Sequence, residues 1–318
     1  MRVLFIDTVH SILEERLTKK GFICIDGTQW DRKKCLAEIN RFQGIVVRSR
    51  LPIDAELLNT ATHLKFIARS GAGLENIDLE TAKKNGVTCF NAPEGNRNAV
   101  GEHALGMLLA LFNNLCRGNA EVRNGIWKRE ENRGVELDGK TVGVIGYGNN
   151  GRAFAKKLYG FDVDVLAYDK YKSNYGDQFA NAASMEEIYN KADILSFHIP
   201  QNKETMFMAD QEFFKKFKKP IYVINLARGK IIRTKDLLKG LQDKSILGAC
   251  LDVLEYEKAS FEKTLAADEN PAFKALLEMD NVIFSPHVGG WTKESYFKLS
   301  DVLADKVLKH FGKDQYTC

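Results

Sequence analysis

Three observations predict an α/β fold with two parallel-sheet domains. Short apolar runs rich in β-branched residues alternate with amphipathic segments along most of the chain, which is the pattern of β-α units in doubly wound parallel sheets. The chain has 318 residues, more than a single hydrophobic core usually serves. One run, residues 142–145, leads into a cluster of glycines and then an amphipathic segment, as at the first turn of such a sheet.

The N-terminal block has the alternation of a small α/β domain in its own right. Strands are predicted at residues 2–7, 22–25, 44–47, 65–68 and 87–90, and helices at 11–20, 31–40, 55–60 and 78–84. Asp31 is a candidate N-cap, because its carboxylate can accept a backbone N–H of the first helical turn. Residues 92–95 contain a proline and a glycine, and they are predicted to form a turn and a candidate hinge.

The rest of the chain continues the alternation after one unusual helix. Residues 99–115 are nearly all apolar, and a helix that is apolar on most sides must be buried against something large, such as a subunit interface. Further strands are predicted at 193–198, 221–225, 247–251 and 281–284. The final amphipathic helix, residues 293–310, is expected to return to the N-terminal domain.

A glycine motif in the middle of the chain predicts a dinucleotide site. Gly146, Gly148 and Gly151 follow a strand as G-x-G-x-x-G, and a helix at 150–159 and a strand at 163–167 come next. Gly146 would make the tight turn, Gly148 would let the backbone approach a pyrophosphate, and Gly151 would let the helix lie close to the strand. The helix N-terminus would offer N–H groups and its positive dipole end to the phosphates.

Asp169 follows the second strand of this unit and indicates the cofactor. Its carboxylate can accept hydrogen bonds from both ribose hydroxyls and would repel a 2′-phosphate, which favours NAD over NADP. Strand, glycines, helix, strand and acid in this order are much more specific than three glycines alone. Asn150 is atypical, because it stands where an apolar residue usually helps the helix pack on the sheet.

A second glycine motif is a false match. Residues 134–141 fit the P-loop pattern G-x-x-x-x-G-K-T, but a P-loop follows a strand and opens a helix. Here a charged segment precedes the match and a strand follows it, and Glu136 and Asp138 would bring negative charge to the phosphates. We interpret the segment as a tight turn that leads into the strand.

Composition argues against several classes of function. The net charge of +4 is small and dispersed, which disfavours a nucleic-acid surface but allows an anionic substrate. The six cysteines form no C-x-x-C pair, so reduced thiols in a cytoplasmic protein are expected. Neither a signal peptide nor an apolar stretch long enough to span a membrane is evident, and no His/Cys/Asp cluster suggests a metal site.

Three residues that follow strands could carry chemistry together. Arg228, Glu257 and His287 each lie shortly after a predicted strand, where α/β sheets place their ligands. His287 could take a hydroxyl proton as hydride leaves for a nicotinamide, Glu257 could orient the imidazole and favour its protonated form, and Arg228 could hold a carboxylate or carbonyl. Each also has an ordinary alternative: a satisfied histidine, a surface acid or a capped strand end.

The glycine motif and four further segments resemble the D-isomer-specific 2-hydroxyacid dehydrogenase family. The four segments are residues 69–73, 225–229, 252–257 and 286–287. They occur in the family's order, and the resemblance covers nearly the whole chain. The resemblance implies NAD-dependent oxidation of a D-2-hydroxy acid, with the catalytic triad formed by Arg228, Glu257 and His287. It also implies the domain organisation: a discontinuous flavodoxin-like substrate-binding domain, residues 1–97 and 288–318, and a central Rossmann NAD-binding domain, residues 98–287. Members are commonly homodimers built around the long apolar helix.

The resemblance also assigns binding residues. Cofactor contacts are expected from Gly146, Tyr147, Gly148, Asn149, Asn150, Gly151, Asp169, His198, Pro200, Ala227 and Asp252. Asp252 matches an acid that supports the site, and His198 could equally be a satisfied strand-end histidine. The loop formed by Ser70, Gly71, Ala72 and Gly73 is expected to bind the substrate carboxylate through backbone N–H groups, a use of exposed amides that glycine permits.

Within the family, four segments look most like the 3-phosphoglycerate dehydrogenases: residues 47–49, 69–73, 125–129 and 286–294. This implies conversion of 3-phosphoglycerate to 3-phosphohydroxypyruvate in serine biosynthesis, by a short form without the regulatory serine-binding domain. Arg48, Arg69 and Arg129 would provide positive charge for the substrate phosphate, Arg129 from the partner subunit, unless these arginines merely flank loops.

Two departures from the family pattern bear on the substrate. Trp291 replaces a small residue near the catalytic histidine, and residues 260–277 form a longer rim than usual. The nearest alternative is a glyoxylate/hydroxypyruvate reductase. An alternative from another class is a non-catalytic NAD-sensing scaffold that resembles the C-terminal-binding corepressors.

Overall fold

The computed structural model describes residues 1–257 and 270–312, which divide into two compact units. Of the described residues, the first unit contains 1–96 and 291–312, and the second contains 97–257 and 270–290. Each unit has its own parallel sheet, of five and seven strands respectively. The predicted fold class, two doubly wound α/β domains, is therefore confirmed.

The first unit is built on the sheet order β2-β1-β3-β4-β5, which is the flavodoxin-like order. Its strands are β1 (Arg2–Phe5), β2 (Ile23–Asp26), β3 (Gly44–Val47), β4 (Phe66–Arg69) and β5 (Thr88–Phe90). Its helices are α1 (Ile12–Lys19), α2 (Arg32–Glu38), α3 (Ala55–Thr60) and α4 (Leu79–Lys84). The N-cap prediction for Asp31 is confirmed, because its side chain accepts the backbone N–H of Lys34.

The predicted turn at residues 92–95 is wrong, because a helix already begins at Pro93, while the candidate hinge stays a prediction. Helix α5 runs from Pro93 to Phe112, and proline is tolerated in a first turn, where its missing N–H would have no helical partner. A Cβ at Gly95 would lie 2.7 Å from the backbone nitrogen of Leu299, so glycine permits close packing at this position.

The apolar helix also ends earlier than predicted. Asn114 adopts a left-handed conformation with φ of 51°, and a separate helix, α6 (Leu115–Arg123), follows. Asparagine tolerates this conformation better than most residues. Helix α6 was not predicted from the sequence, because its charged residues do not form a clear apolar face.

The second unit has the sheet order β12-β11-β10-β9-β6-β7-β8. Its strands are β6 (Thr141–Ile145), β7 (Asp164–Tyr168), β8 (Asn181–Ala182), β9 (Ile194–Phe197), β10 (Ile221–Asn225), β11 (Ile246–Leu251) and β12 (Val282–Phe284). The remaining helices are α7 (Asn149–Leu158), α8 (Met185–Lys191), α9 (Gln211–Phe214), α10 (Thr234–Gln242) and α11 (Pro271–Leu277), and α12 (Lys293–Phe311) belongs to the first unit. The P-loop-like segment forms a turn before β6, as predicted.

Helix α12 packs on the first unit, as predicted. Leu303 and Val307 are fully buried in one apolar cluster with Leu13 of α1. Arg16 of α1 also bonds Asp301, with a nitrogen–oxygen distance of 2.6 Å. Exposed ion pairs contribute little, so the apolar cluster supplies most of the free energy that holds α12 in place.

Among the helices that the structure describes, none is long and apolar enough to cross a membrane.

Candidate active site

The glycine turn between β6 and α7 has the geometry that the motif predicts. Gly146 has φ of +92°, and a Cβ there would lie 2.7 Å from the carbonyl oxygen of His198. A Cβ at Gly151 would lie only 2.0 Å from the carbonyl oxygen of Gly146. At Gly148, the residue before α7, a Cβ would meet no described atom within 4 Å. The first and third glycines therefore allow close packing, while the second leaves the backbone open to a ligand.

The first residues of α7 present their backbone N–H groups at this turn. Asn149 accepts a hydrogen bond from Arg97 through its side-chain oxygen, at 3.3 Å. The side-chain oxygen of Asn150 is buried, and no partner for it is found among the described residues. A helix N-terminus next to an open glycine backbone fits a pyrophosphate, because the N–H groups and the helix dipole both favour an anion.

Tyr147 contributes to this turn through its backbone only. Its side chain is 2% exposed, and its hydroxyl donates to Asp177 at 2.7 Å. Burial and this contact raise the pKa of the phenol. The cofactor contact that we predicted for Tyr147 is thus limited to its main chain.

Asp169 joins the turn to the end of β7. One carboxylate oxygen accepts the N–H of Tyr147 at 3.0 Å, and the other accepts the N–H of Tyr171 at 3.1 Å. A carboxylate has about four acceptor positions, so both oxygens keep capacity for ribose hydroxyls. The glycine cradle and this acid fit NAD, which would supply the hydride acceptor when bound.

Three further predicted cofactor residues lie at the carboxyl ends of β9 and β10. His198 bonds the hydroxyl of Ser196 through Nε2 at 2.8 Å, and burial lowers its pKa to about 3. Pro200 is exposed and accepts a bond from Thr205 through its carbonyl. Ala227 is 6% exposed and donates its N–H to Asn225. At neutral pH, His198 is therefore an uncharged group at this edge.

His287 and Glu257 form a close pair in the second unit. His287 follows β12 and Glu257 follows β11, and Nδ1 of His287 lies 2.6 Å from a carboxylate oxygen of Glu257. The two side chains are 23% and 12% exposed. The second carboxylate oxygen of Glu257 accepts the N–H of Leu254. The carboxylate is thus fixed at both oxygens and orients the imidazole, as predicted for an acid–base pair.

Arg228 follows β10, the next strand of the same sheet edge. Because β10, β11 and β12 are parallel neighbours, Arg228, Glu257 and His287 all follow strand ends on one edge. A Cβ at Gly229 would lie 1.9 Å from the carbonyl oxygen of Leu254, so the loops after β10 and β11 are in direct contact. Nη1 of Arg228 donates to the carbonyl of Ala227 at 2.7 Å.

Asp252, one of the predicted cofactor residues, bonds to the loop that carries His287. It is 2% exposed. Its Oδ1 accepts the hydroxyl of Ser285 at 2.6 Å and the N–H of Val288 at 2.9 Å, and its Oδ2 accepts the N–H of Gly289 at 2.8 Å. These bonds clamp the loop that carries His287. A buried carboxylate with these donors stabilises the loop, and the cofactor contact of Asp252 stays a prediction.

The predicted substrate residues of the first unit lie at the ends of β3 and β4. The N–H groups of Arg48, Ser49 and Arg50 all point at one oxygen of Asp7, at 2.5, 3.1 and 3.3 Å. Nε of Arg69 donates to the carbonyl of Arg48 at 3.2 Å. These contacts hold the two predicted substrate arginines, Arg48 and Arg69, at the ends of neighbouring strands.

The glycine loop after β4 is shaped around Arg69. A Cβ at Gly71 would lie 1.7 Å from Nη1 of Arg69, so a side chain at position 71 would displace the guanidinium from the loop. Ser70 is 4% exposed, and its N–H already donates to the carbonyl of Val47 at 2.8 Å. The carbonyl of Ala72 accepts the side-chain amide of Asn91. Ala72 and Gly73 remain partly exposed, so their N–H groups are better placed for a substrate carboxylate than that of Ser70.

Two predictions concern segments outside these strand ends. Arg129 lies in the second unit, on the exposed segment after α6. Of the predicted rim, residues 260–277, the part up to residue 269 lies outside the described residues. The last part of the rim forms helix α11.

The sequence alone did not identify Asp7, Ser285 and His103 as residues that support the site. Asp7 ends the first apolar run and Ser285 directly precedes the Pro-His pair, so their positions were available as signals. His103, which we took as a residue of the apolar helix, contacts Ser285 at 2.9 Å. Only the fold shows that α5 brings His103 to the loop after β12.

A parallel α/β unit with a dinucleotide turn and a histidine–carboxylate pair on the same sheet edge defines an NAD-binding protein of the dehydrogenase class. Residues 105–289 match the sequence model of the D-isomer specific 2-hydroxyacid dehydrogenase NAD-binding domain. The chain belongs to the D-isomer specific 2-hydroxyacid dehydrogenase family, and its cofactor is NAD.

Individual relatives agree on the family but differ in substrate. The chain is 32% identical to D-3-phosphoglycerate dehydrogenase of Archaeoglobus fulgidus, over 97% of this chain but only 57% of the relative. It is 29% identical to hydroxypyruvate reductase of Thermotoga maritima, over 98% of both chains. The structure of Aquifex aeolicus D-lactate dehydrogenase with NAD and lactic acid superposes with a TM-score of 0.80 at 29% identity, over 98% of this chain and 96% of the other. The chain thus spans little more than half of the phosphoglycerate relative.

Proposed function

We propose that the protein oxidises a D-2-hydroxy acid to the 2-keto acid with NAD, and catalyses the reverse reduction. The observation that carries the proposal is the 2.6 Å contact between His287 and Glu257, on the same sheet edge as the glycine turn. We propose catalytic roles for Arg228, Glu257 and His287 and a substrate-binding role for the first unit.

In the proposed reaction, the hydrogen on C2 and the hydrogen of the hydroxyl group leave the substrate to different acceptors. His287 would take the hydroxyl proton as a carbonyl forms at C2, and bound NAD would supply the acceptor for the hydride from C2. Because Nδ1 of His287 faces Glu257, Nε2 is the nitrogen that would take the proton. Arg228 would hold the substrate carboxylate or the forming carbonyl, since a guanidinium can donate two parallel bonds.

For the substrate, we propose 3-phosphoglycerate, with a role in serine biosynthesis. Arg48 and Arg69 support this choice, because they place two arginines at the ends of neighbouring strands of the first unit, and guanidinium groups bind phosphate well. The relative from Archaeoglobus fulgidus carries the matching name. Arg129 would add charge from a partner subunit in the homodimer that the family resemblance implies. A cytoplasmic location is part of the same proposal.

A second candidate function is reduction of hydroxypyruvate or glyoxylate. The relative of nearly equal length, from Thermotoga maritima, is named hydroxypyruvate reductase. In this chain Trp291 lies against Arg48, which could leave less space for a phosphate. The non-catalytic NAD-sensing scaffold is a third reading, and it predicts cofactor binding without turnover.

Steady-state kinetics with NADH separate these functions. We expect 3-phosphohydroxypyruvate to give a higher kcat/KM than hydroxypyruvate, glyoxylate or pyruvate. Equal or better turnover of the unphosphorylated acids would remove the phosphoglycerate assignment, and no turnover with NADH bound would favour the scaffold. His287→Ala should lower kcat by about 10² to 10⁴-fold with NADH binding retained, and near-normal activity would remove His287 from its role.

A further inference from the structure

A chain of hydrogen bonds connects α5 to the loop that carries His287, entirely within the second unit. Nε2 of His103 lies 2.9 Å from the hydroxyl oxygen of Ser285. That hydroxyl lies 2.6 Å from Oδ1 of Asp252, while His103 and Asp252 themselves are 3.7 Å apart. The hydroxyl of Ser285 therefore lies between the imidazole and the carboxylate and bridges them by hydrogen bonds.

The direction of these bonds follows from the number of protons. Asp252 is a carboxylate that accepts from Ser285, Val288 and Gly289, so the serine hydroxyl must donate its single proton to it. The serine oxygen can then only accept from His103. This arrangement requires a proton on Nε2 of His103, and the chain runs from His103 through Ser285 to Asp252.

The hydrogen bonds of Asp252 determine the backbone conformation of His287. The N–H of His287 donates to the carbonyl of Asp252 at 2.8 Å, and the next two N–H groups donate to the Asp252 carboxylate. His287 has φ of 54°, a left-handed conformation that is unfavourable for a residue with a side chain. Such a conformation persists only when several surrounding contacts require it.

We propose that His103 is a positioning residue for the reaction, which acts through Ser285 and Asp252 to hold His287 in its left-handed conformation against Glu257. The inference rests on the proposed function, because it assumes that His287 transfers the proton. His103 does not touch substrate or cofactor in this scheme. Its contribution is to supply the donor that completes the hydrogen bonding of Ser285, so that the hydroxyl stays directed at Asp252.

The test compares His103→Leu, which removes the donor, with His103→Gln, whose side-chain amide can replace it. We expect His103→Leu to lower kcat about tenfold, the size expected when one buried hydrogen bond fixes the reacting geometry, with the Kd of NADH and the KM of the keto acid unchanged. His103→Gln should recover most of kcat. Equal kcat for the two variants, or a proportional change in KM, would overturn the inference.

A double-mutant cycle tests whether the effect passes through Ser285. If it does, Ser285→Ala combined with His103→Leu should be no slower than the slower single variant, whereas independent effects would multiply. Leu108→Met is the control for packing in the same helix, because Leu108 is fully buried and the change nearly conserves volume. A kcat for His103→Leu that matches this control would also overturn the inference.

The proposed function fails separately from this inference. The function itself would be overturned if the parent protein bound NADH but reduced no 2-keto acid, whereas full turnover by His287→Ala would remove His287 from proton transfer and with it the basis of this inference. Loss of turnover in His287→Ala, with His103→Leu unaffected, would overturn only the role of His103. Long-range proton–nitrogen spectra of labelled histidines provide a readout without turnover. They should show Nε2 of His103 protonated, and an unprotonated Nε2 would contradict the assigned direction of the chain.

Discussion

The guanidinium of Arg48 lies over the ring of Trp291, 4.2 Å from its centroid. A guanidinium at this distance is attracted by the ring electrons, and the contact is worth roughly 0.5–1 kcal/mol when exposed. Arg48 is also fixed through its backbone, because its N–H bonds Asp7 and its carbonyl accepts from Arg69. Trp291, which replaces a small residue of the family pattern, therefore restricts where the charge of Arg48 can lie.

Replacing Trp291 tests whether this contact serves the substrate. Trp291→Ser should raise the KM for 3-phosphohydroxypyruvate about three- to tenfold, because Arg48 loses the ring that holds it, with little change in kcat. Trp291→Phe keeps a ring and should stay near the parent value. If Trp291→Ser instead lowers the KM for phosphorylated substrates, the indole obstructs the phosphate in the parent protein, and the reductase function gains support.

Replacing Glu257 tests the partner of His287. Glu257→Gln keeps the size of the side chain but removes its charge, so we expect kcat to fall by about 10²-fold while NADH binds as before. Glu255→Gln is the matched control in the same segment, because the carboxylate of Glu255 accepts the N–H of Thr234 and is not the partner of His287. Equal activity in the two variants would show that the charge of Glu257 has no role.

Asp169 is expected to determine the choice between the two nicotinamide cofactors. Asp169→Asn removes the charge that repels a 2′-phosphate, and it weakens acceptance from the ribose hydroxyls. The ratio of kcat/KM for NADH over NADPH should fall about tenfold, as expected when a hydrogen bond to a charged group is weakened. Asp164→Asn, on the same strand at an exposed position, should leave the ratio unchanged. A constant ratio in Asp169→Asn would argue against the ribose contact.

His198 should make the stability of the protein depend on pH. Its pKa falls from 6.5 to about 3 on burial, so below pH 6.5 the unfolded chain binds a proton that the folded chain does not. Its contribution to folding is fully present above pH 6.5 and is lost as pH falls toward 3, by at most about 1.4 kcal/mol per pH unit. Chemical denaturation at pH 7.5 and pH 4.5 should therefore show a smaller loss of stability in His198→Gln than in the parent protein. An equal loss would place His198 in a more solvated environment.

Much of this fold could be predicted because its signals are local. The strand at 44–47 and the helix at 55–60 have the predicted bounds, since each is a short pattern between clear breaks. The turn prediction at 92–95 failed because proline and glycine occur in turns but are also accommodated in helices. Pro93 opens a helix, and Gly95 allows a close approach to Leu299.

The site was predictable where function requires particular residue types in order, as in the glycine turn and the His287–Glu257 pair. The supporting contacts of Asp7 and His103 were not predictable. They depend on residues far apart in the sequence that the sheet and α5 bring together.

Gly151 offers a direct test of the cofactor turn. Gly151→Ala would place a methyl group 2.0 Å from the carbonyl oxygen of Gly146, and because that atom is backbone, the turn itself would have to move. We expect a loss of about 1–3 kcal/mol in the free energy of unfolding and a weaker Kd for NADH. Gly106→Ala in α5 is the control, since no described atom lies within 4 Å of the new Cβ. Alanine favours a helix over glycine by about 1 kcal/mol, so this variant should be more stable and bind NADH normally. Unchanged NADH affinity in Gly151→Ala would mean that the close approach of α7 to β6 is not needed for the cofactor.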